Sequence, residues 1–346
     1  MMKRFISGVL VLGVCLTPLT VPVMVQPSWG QSQNLPIEEI NRLILQATQQ
    51  QQQGQHRQAI ETWQQVLAIA RQFKVRGVEY IALDNIGFNY NRISQQQEAL
   101  KYFNQALPIT RELGDREGEA IILDNIGGVY QSISQQQEAL KYFNQALPIW
   151  RSVGDHSGEA TTLNNIGGVY YSISQPQEAL KYFNQALPVW RSAGDRSGEA
   201  KTLNNIGGVY YSISQPQEAL KYANQALPIM RELGDRAGEA TTLNNIGGVY
   251  LSISQPQEAL KYFNQVLPIR RELGDRQGEA TTLNNIGKVY YNISQPQEAL
   301  KYFNQALPIM RSVGDRAGEA TTLSNIDAVN NGSQPPSRTN IPQTPK

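Results

Sequence analysis

Cysteine and histidine are almost absent from this 346-residue sequence, which contains one Cys and two His. A disulfide framework or a Cys/His metal site needs more of these residues than the chain has. Cys15 lies in an apolar N-terminal run, and His56 and His156 lie in turns between predicted helices, so no nucleophile–base pair is expected. The sequence therefore predicts neither an enzyme nor a protein that carries a cofactor or a metal.

An excess of one charge is also missing, since 30 Lys and Arg stand against 29 Asp and Glu. Nucleic-acid binding relies on a mostly positive surface that neutralises phosphates. Helical-repeat proteins that read RNA need basic tracks along the array. A nucleic-acid partner is therefore not expected.

Long apolar runs are confined to the N-terminus. Two basic residues precede the apolar run 5–16, and small residues follow up to Gly30. This pattern predicts a signal peptide over 1–30, with cleavage near Gly30 and export to the periplasm or the cell exterior. Cleavage would remove two basic residues and no acid, changing the formal net charge from +1 to −1. As an alternative, residues 5–25 are long enough to be retained as an N-terminal membrane anchor.

Most of the remaining sequence repeats every 40 residues. The segment NNIGGVYYSISQPQEALKYFNQALPVWRSAGDRSGEA, which starts at Asn164, returns with few changes from Asp84, Asp124, Asn204, Asn244 and Asn284. Such a period indicates stacked supersecondary units that bury one continuous core. The predicted organisation is a divergent first repeat over 37–75, six near-identical repeats over 77–315, a capping helix over 316–330 and a disordered tail over 331–346.

Each repeat predicts two helices joined by short turns. Gly154 suits a left-handed helix stop, and Asp155 suits the N-cap of the next helix. Ser174 and Gln177 match a capping box, which would place Ser174 at the N-cap of the second helix. Pro188 lies inside the second helix but on its outer side, so the helix is predicted to continue through it with a bend.

The letters LxxIGxxY from Leu163, followed by Ala179, Phe183 and Ala186, resemble the tetratricopeptide repeat, a helix–turn–helix unit. The 40-residue period and the GDRxGEA joint are similar to the longer subtype of kinesin light chain, partner-of-inscuteable proteins and exported bacterial multi-repeat chains. The resemblance implies an all-α, right-handed superhelical solenoid whose first helices line a concave groove. It also implies a protein or peptide partner, bound in that groove as an extended segment or a helix.

A row of asparagine amides recurs opposite the core stripe of the first helix. Amides donate and accept hydrogen bonds, which suits the backbone of an extended peptide, and tyrosine is a frequent interface anchor. Asparagines at matching positions of kinesin light chain-like repeats bind peptides in this way. The alternative is that each asparagine ties its helix to a neighbouring helix. The candidate groove residues are Asn85, Asn125, Asn164, Asn165, Asn204, Asn205, Asn244, Asn245, Asn284, Asn285, Tyr171, Tyr211 and Lys288.

The position of Gly168 is expected to be open groove floor, because it holds Phe88 in one repeat and Lys288 in another. Groove charge shifts along the array, from acids such as Asp84 in early repeats to bases such as Lys201 in later ones. If this gradient steers a peptide, the basic part of the ligand would face the N-terminal repeats.

The leading hypothesis is an exported, non-enzymatic scaffold that binds a segment of a partner protein. The alternative is a structural spacer or cell-envelope assembly element whose groove stays empty. Near-identical repeats favour it, because they present a specific ligand with the same surface at each position of the array. The sequence is also compatible with self-association and with retention at the membrane through the N-terminal segment.

Overall fold

The structure is a computed structural model that describes residues 34–332, and this part of the chain contains α-helices and no strand. The predicted all-α array of helix–turn–helix repeats is thereby confirmed. The predicted signal peptide over 1–30 and most of the predicted tail, 333–346, lie outside the described residues. Within 34–332, no helix combines the length and the apolar character needed to cross a membrane.

The chain divides into two compact regions, called region 1 up to Gly194 and region 2 from Asp195. The described part of region 1 contains α1 (Asn34–Gln52), α2 (His56–Gln72), α3 (Arg76–Arg92), α4 (Gln96–Leu113), α5 (Arg116–Ser132), α6 (Gln136–Val153), α7 (His156–Ser172) and α8 (Pro176–Ala193). The described part of region 2 contains α9 (Arg196–Ser212), α10 (Pro216–Glu232), α11 (Arg236–Ser252), α12 (Pro256–Glu272), α13 (Arg276–Asn292), α14 (Pro296–Ser312) and α15 (Arg316–Asn330). Odd-numbered helices are the first helices of the repeats. Each odd-numbered helix from α1 to α13 packs on the second helix that follows it.

A phenylalanine of the second helix lies directly on a glycine of the first helix. A Cβ on Gly167 would lie 2.7 Å from a ring atom of Phe183. Glycine weakens a helix interior by about 0.5–1 kcal/mol, but at this position it lets a buried ring approach the backbone. The same pair recurs as Phe103–Gly87, Phe143–Gly127, Phe263–Gly247 and Phe303–Gly287.

The hairpin of α9 and α10 departs from this pattern, because Ala223 stands where the other five near-identical repeats have phenylalanine. The atoms nearest to a Cβ on Gly207 would be the carbonyl oxygen of Ala219 at 3.2 Å and the nitrogen of Ala223 at 3.5 Å. The backbone of α10 therefore approaches Gly207 directly, where the other hairpins place a ring.

The turn from a second helix to the next first helix forms as predicted. Gly154 has a φ of +72°, the left-handed conformation that glycine adopts without strain. The Asp155 carboxylate accepts a hydrogen bond from the backbone nitrogen of Gly158 at 2.9 Å, which caps α7.

The turn within a repeat differs from the prediction. Ser174 is not the N-cap of α8: that position belongs to Gln175, which makes no side-chain capping bond. Ser174 instead has a φ of +58°, and its nitrogen donates to the carbonyl of Tyr171 at 3.1 Å. The capping-box prediction is wrong because Ser174 closes the end of α7, a role more often taken by glycine.

The proline inside each second helix from α4 to α14 is tolerated as the sequence predicts. Pro188 lies within α8, which continues to Ala193, and its side chain is exposed. The carbonyl that loses its partner belongs to Asn184, which is also exposed, so water can satisfy it. The bend at this position stays a prediction. The same arrangement recurs at Pro108, Pro148, Pro228, Pro268 and Pro308.

The helix α15 has no second helix packed on it among the described residues. Leu323 is 37% exposed, whereas the equivalent Leu283 is 1% exposed. Asp327 and Asn330 take the places of a glycine and a tyrosine of the other first helices, and both are exposed. This polar face suits a solvent-facing end of an array.

Candidate functional site

One stripe of the first helix stays partly exposed in the later repeats. In α7 it comprises Thr161, Asn164, Gly168 and Tyr171, whose spacing places them on one face of the helix. The equivalent residues of region 2 are called the open row. They are Lys201, Asn204, Gly208 and Tyr211 in α9, Thr241, Asn244, Gly248 and Leu251 in α11, and Thr281, Asn284, Lys288 and Tyr291 in α13. Because α11 contacts both α9 and α13, the row runs across three successive repeats.

In α3 and α5 the position equivalent to Asn164 is buried, although Phe88, Asn91, Ile121 and Gln131 stay half-buried. Ile81 is 4% exposed, Asp84 is 0% exposed and Asp124 is 7% exposed. The predicted charge gradient is wrong in its acidic half, because these carboxyl groups are buried between helices and do not face a ligand. Lys201 and Lys288, at its basic end, are partly exposed.

The asparagines one residue further along the helix are mostly interior. Asn85, Asn125 and Asn165 are 1% exposed or less, so their interpretation as groove surface is wrong. Asn205, Asn245 and Asn285 are half-buried, and Asn284 of the open row is buried at 6% exposure beside α15. The other interpretation, in which the amide ties neighbouring first helices, describes the contacts of Asn125, Asn245 and Asn285.

These ties form a chain of amide hydrogen bonds in region 2. The Nδ2 atom of Asn245 donates to Oδ1 of Asn204 at 3.2 Å, and Asn285 donates to Asn244 at 3.2 Å. Asn325 donates to Asn284 at 3.1 Å. Each bond joins two successive first helices through an acceptor oxygen of the open row. Asn204 and Asn244 therefore have their oxygens engaged, and their Nδ2 groups are the donors left for a ligand.

Region 1 places carboxyl groups in the same chain of bonds. Asn125 donates to Oδ1 of Asp84 at 2.8 Å. The Oδ2 atom of Asp124 accepts from Nε1 of Trp150 at 2.7 Å and from Oγ1 of Thr162 at 2.7 Å. Burial raises the pKa of Asp124 to about 7, although these two hydrogen bonds act to lower it.

The tyrosine of the row lies close to the glycine position of the next repeat. The Tyr211 hydroxyl lies 3.7 Å from the place a Cβ on Gly248 would take. The Tyr291 hydroxyl donates to the carbonyl of Ala328, the equivalent residue of α15, at 3.2 Å. These two tyrosines lie over the next first helix, whereas Tyr171 is 40% exposed.

The prediction of an open floor at the glycine position holds for some repeats only. Gly208 has no atom within 4 Å of a Cβ position, and Gly168 has only the Gln131 side chain, at 3.5 Å. Gly128 is buried. Gly208 is therefore the point of the open row where space is available beside the backbone.

A position near the end of the second helix was missed by the sequence pattern, because its residue type changes from repeat to repeat. Trp150 and Met230 are buried there, at 4% and 3% exposure. Arg270 takes the same place, with its guanidinium donating to Asp275 at 2.7 Å and to Thr241 at 3.2 Å. The sequence signal for this buried position was the second glycine of GDRxGEA, since Gly158, Gly238 and Gly278 lie against these side chains.

The family model for the tetratricopeptide repeat matches nearly the whole described chain. The matched segments are 42–112, 79–152, 118–192, 158–232, 198–272, 238–312 and 278–326. The chain belongs to the tetratricopeptide repeat family. No curated protein matches it significantly.

Solved structures of low sequence identity share the fold. A signal transduction ATPase with a tetratricopeptide repeat sensor, from Pyrococcus horikoshii, is 16% identical with a TM-score of 0.66; the match covers 79% of this chain and 41% of that one. Apo RapI is 16% identical with a TM-score of 0.61, covering 80% of this chain and 99% of RapI. A Rap protein complexed with Competence and Sporulation Factor is 14% identical with a TM-score of 0.56, covering 88% of each chain.

Proposed function

We propose that the protein is a non-enzymatic scaffold that binds an extended segment or a helix of a partner protein along the open row of region 2. The observation that carries this proposal is a partly exposed polar row that continues across α9, α11 and α13. The amide Nδ2 groups of Asn204 and Asn244 supply donors in register, one from each repeat. A peptide backbone offers acceptors at regular intervals and fits such a row whatever its side chains are.

The fold supports a binding role of this kind. One structural neighbour was solved in complex with Competence and Sporulation Factor, so an array of this architecture accommodates a partner molecule in at least one protein. Among residues 34–332, no group of three or more His, Cys, Asp or Glu side chains is placed to hold a metal ion. The open row includes the aromatic rings of Tyr211 and Tyr291, and tyrosine is a residue type that is enriched in protein interfaces.

The decisive variant is Gly208→Glu, because a side chain at Gly208 meets open space and extends over the row without disturbing the core. Its matched control is Asn224→Glu, which adds the same charge at an exposed position of α10. Partners are captured from the extracytoplasmic fraction of the source cells and quantified for each bait. We expect Gly208→Glu to reduce partner recovery by about tenfold or more, which corresponds to about 1.4 kcal/mol, and Asn224→Glu to leave it unchanged.

Two outcomes would contradict the proposal. One is full retention of the partner by Gly208→Glu while circular dichroism confirms the fold. The other is equal loss of the partner with both variants, which would point to charge and not to the row. Gel filtration of each bait separates these outcomes from unfolding or self-association.

Export is proposed from residues 1–30 alone, since the structure does not describe them. The predicted mature protein begins just after Gly30 and is periplasmic or extracellular. Intact-mass measurement of the native protein tests this: a chain that retains residues 1–30 would favour the membrane-anchored alternative.

A structural spacer is the second candidate function, and the amide ties favour it. Asn245, Asn285 and Asn325 each hold two successive first helices together. Their recurrence therefore has an explanation that needs no ligand. Under this alternative no partner depends on Gly208, and deletion of the protein weakens the cell envelope.

A further inference from the structure

The buried carboxyl group of Asp124 receives its donors on one oxygen only. Trp150 and Thr162 both donate to Oδ2, at 2.7 Å each. The Oδ1 atom is buried and has no hydrogen-bond partner among the described residues. An unsatisfied buried acceptor destabilises a fold, so this oxygen needs an explanation.

Asn165 on α7 is unsatisfied at the same joint. Its Oδ1 and Nδ2 atoms are both buried, and neither has a partner within the described part of the chain. Residues 41 positions apart are bonded in the equivalent steps: Asn125 donates to Asp84 at 2.8 Å, and Asn245 donates to Asn204 at 3.2 Å. Asp124 and Asn165 occupy the same two places in the step from α5 to α7.

Within residues 34–332, no cation lies close enough to Asp124 to shift its pKa. The charged side chains of the helices around it are engaged elsewhere: Arg111 and Arg116 with Glu119, Arg151 with Glu159, and Asp84 with Asn125. His156, at the start of α7, is exposed and faces Glu159 at 3.8 Å. The pKa of Asp124 is accordingly set by burial, which raises it, and by the hydrogen bonds from Trp150 and Thr162, which lower it.

We propose that Asp124 carries a proton on Oδ1 in the folded protein below neutral pH, and that this proton joins α5 to α7 through a hydrogen bond to Oδ1 of Asn165. A neutral carboxyl group donates one hydrogen bond, whereas a carboxylate only accepts. The protonated form thus satisfies two of the three unpartnered atoms at the joint. The ionised form leaves a buried charge that no cation compensates.

The joint between α5 and α7 is therefore stabilised by acid. The pKa of Asp124 in the folded chain is about 7, above the value of about 3.9 for an unfolded aspartate. The folded state then binds more protons than the unfolded state between these two values. The contribution of this group to stability is complete below the unfolded pKa and is lost as the pH rises through about 7.

The direct test follows the carboxyl carbon of Asp124 by NMR in protein with ¹³C-labelled aspartate. The Asp124 resonance is assigned by its loss in Asp124→Asn. We expect it to titrate close to pH 7. A resonance that shows an ionised carboxylate throughout pH 5 to 8 would overturn the proposal.

A second test compares the thermal midpoints of wild type and Asp124→Asn from pH 5.5 to pH 8. An amide at this position can donate and accept at every pH, and it is the residue of α7, α9, α11 and α13. We expect the two proteins to agree within about 2 °C at pH 5.5 and the wild type to fall behind by about 5 °C at pH 8. A pH-independent difference would overturn the proposal. The control Asp327→Asn, which removes an exposed acid of α15, should parallel the wild type.

Discussion

The two regions use one backbone position for two kinds of polar chemistry. Region 1 has buried carboxyl groups at Asp84 and Asp124, and region 2 has amides at Asn204 and Asn244. The carboxylate of Asp84 accepts from Asn125 at 2.8 Å, whereas the amide bonds of region 2 are 3.1–3.2 Å long. The same helical repeat therefore supports a buried carboxyl joint in α3 and α5 of region 1 and a half-open amide joint in region 2.

This difference shows that near-identity in sequence does not mean equivalence in chemistry. Where the position is open, its amide can face a ligand as well as a neighbouring helix. Where it is closed by a carboxyl group, as at Asp124, it forms the internal joint for which a response to pH is proposed. Exposure also increases along the array three residues earlier in the helix: Ile81 is buried, Ile121, Thr161 and Lys201 are half-buried, and Thr241 and Thr281 are exposed. Four pairs of variants test how far the two regions differ.

The largest effect is expected from the phenylalanine ring that packs on the first-helix glycine, which the hairpin of α9 and α10 lacks. Phe143→Ala in region 1 should lower the free energy of unfolding by about 3–5 kcal/mol, because it removes a fully buried ring packed on Gly127. The reverse change in region 2, Ala223→Phe, should also destabilise, by about 1–3 kcal/mol, since Ala223 is buried and the atoms nearest to a Cβ on Gly207 are backbone atoms of α10 at 3.2 and 3.5 Å. Urea unfolding followed by circular dichroism measures both. Stabilisation by Ala223→Phe would show that α9 and α10 leave an unfilled cavity.

The paired glycines of region 2 should respond in opposite directions. Gly247→Ala should lower stability by about 1–3 kcal/mol, because its Cβ would lie 2.8 Å from the ring of Phe263. Gly248→Ala should raise stability by about 0.5–1 kcal/mol, since its Cβ meets the Tyr211 hydroxyl at an ordinary 3.7 Å and alanine favours the helix. Thermal unfolding of the two variants provides the check. Equal losses would mean that the open row is more crowded than its exposure indicates.

The polar joints should differ in strength between the regions. Asn125→Ala should lower the free energy of unfolding by about 2 kcal/mol, because it leaves a buried carboxylate oxygen of Asp84 without this donor. Asn245→Ala should lower it by about 1 kcal/mol, because Thr242 still donates to Asn204 at 3.2 Å and the site is half-buried. Hydrogen exchange of the backbone amides in α5 and α11 reports each joint separately. A larger loss of stability for Asn245→Ala would show that the amide joint of region 2 is the stronger of the two.

The smallest effect concerns a feature that the two regions share. Glu79 in region 1 and Glu239 in region 2 are buried, which by itself raises the pKa, but hydrogen bonds from two arginines hold the pKa of each below its usual range. Their contribution to stability is present above the unfolded pKa and is lost as the pH falls through the folded pKa. Glu79→Gln and Glu239→Gln should each reduce the acid-induced loss of stability below about pH 4.5, by about 1 kcal/mol. Acid titrations followed by circular dichroism should give the same change for both. Different changes would show that the charged joints are not equivalent.

The helices and the core were predictable from the sequence, because the spacing of Leu163, Ile166, Phe183 and similar residues reports local helical geometry. The exposure of Asn165 was not predictable in this way. It faces out of its own hairpin, and only the distance to the next first helix decides whether it meets solvent or a neighbour. Ser174 was misassigned for a related reason, since a serine before a helix suits a cap until the φ of +58° shows that it closes the preceding helix.

The uneven distribution of tryptophan gives the protein an internal spectroscopic reporter. The sequence has four tryptophans; Trp29 precedes the described residues, and Trp63, Trp150 and Trp190 all lie in region 1. All three are buried, at 1%, 4% and 6% exposure, so their fluorescence should shift when region 1 unfolds. Circular dichroism, by contrast, responds to every helix of the chain. In a preparation that has lost residues 1–30, coincident melting curves from the two signals would show one cooperative unit. Separate curves would show that the array unfolds in stages, and the fluorescence would identify which stage belongs to region 1.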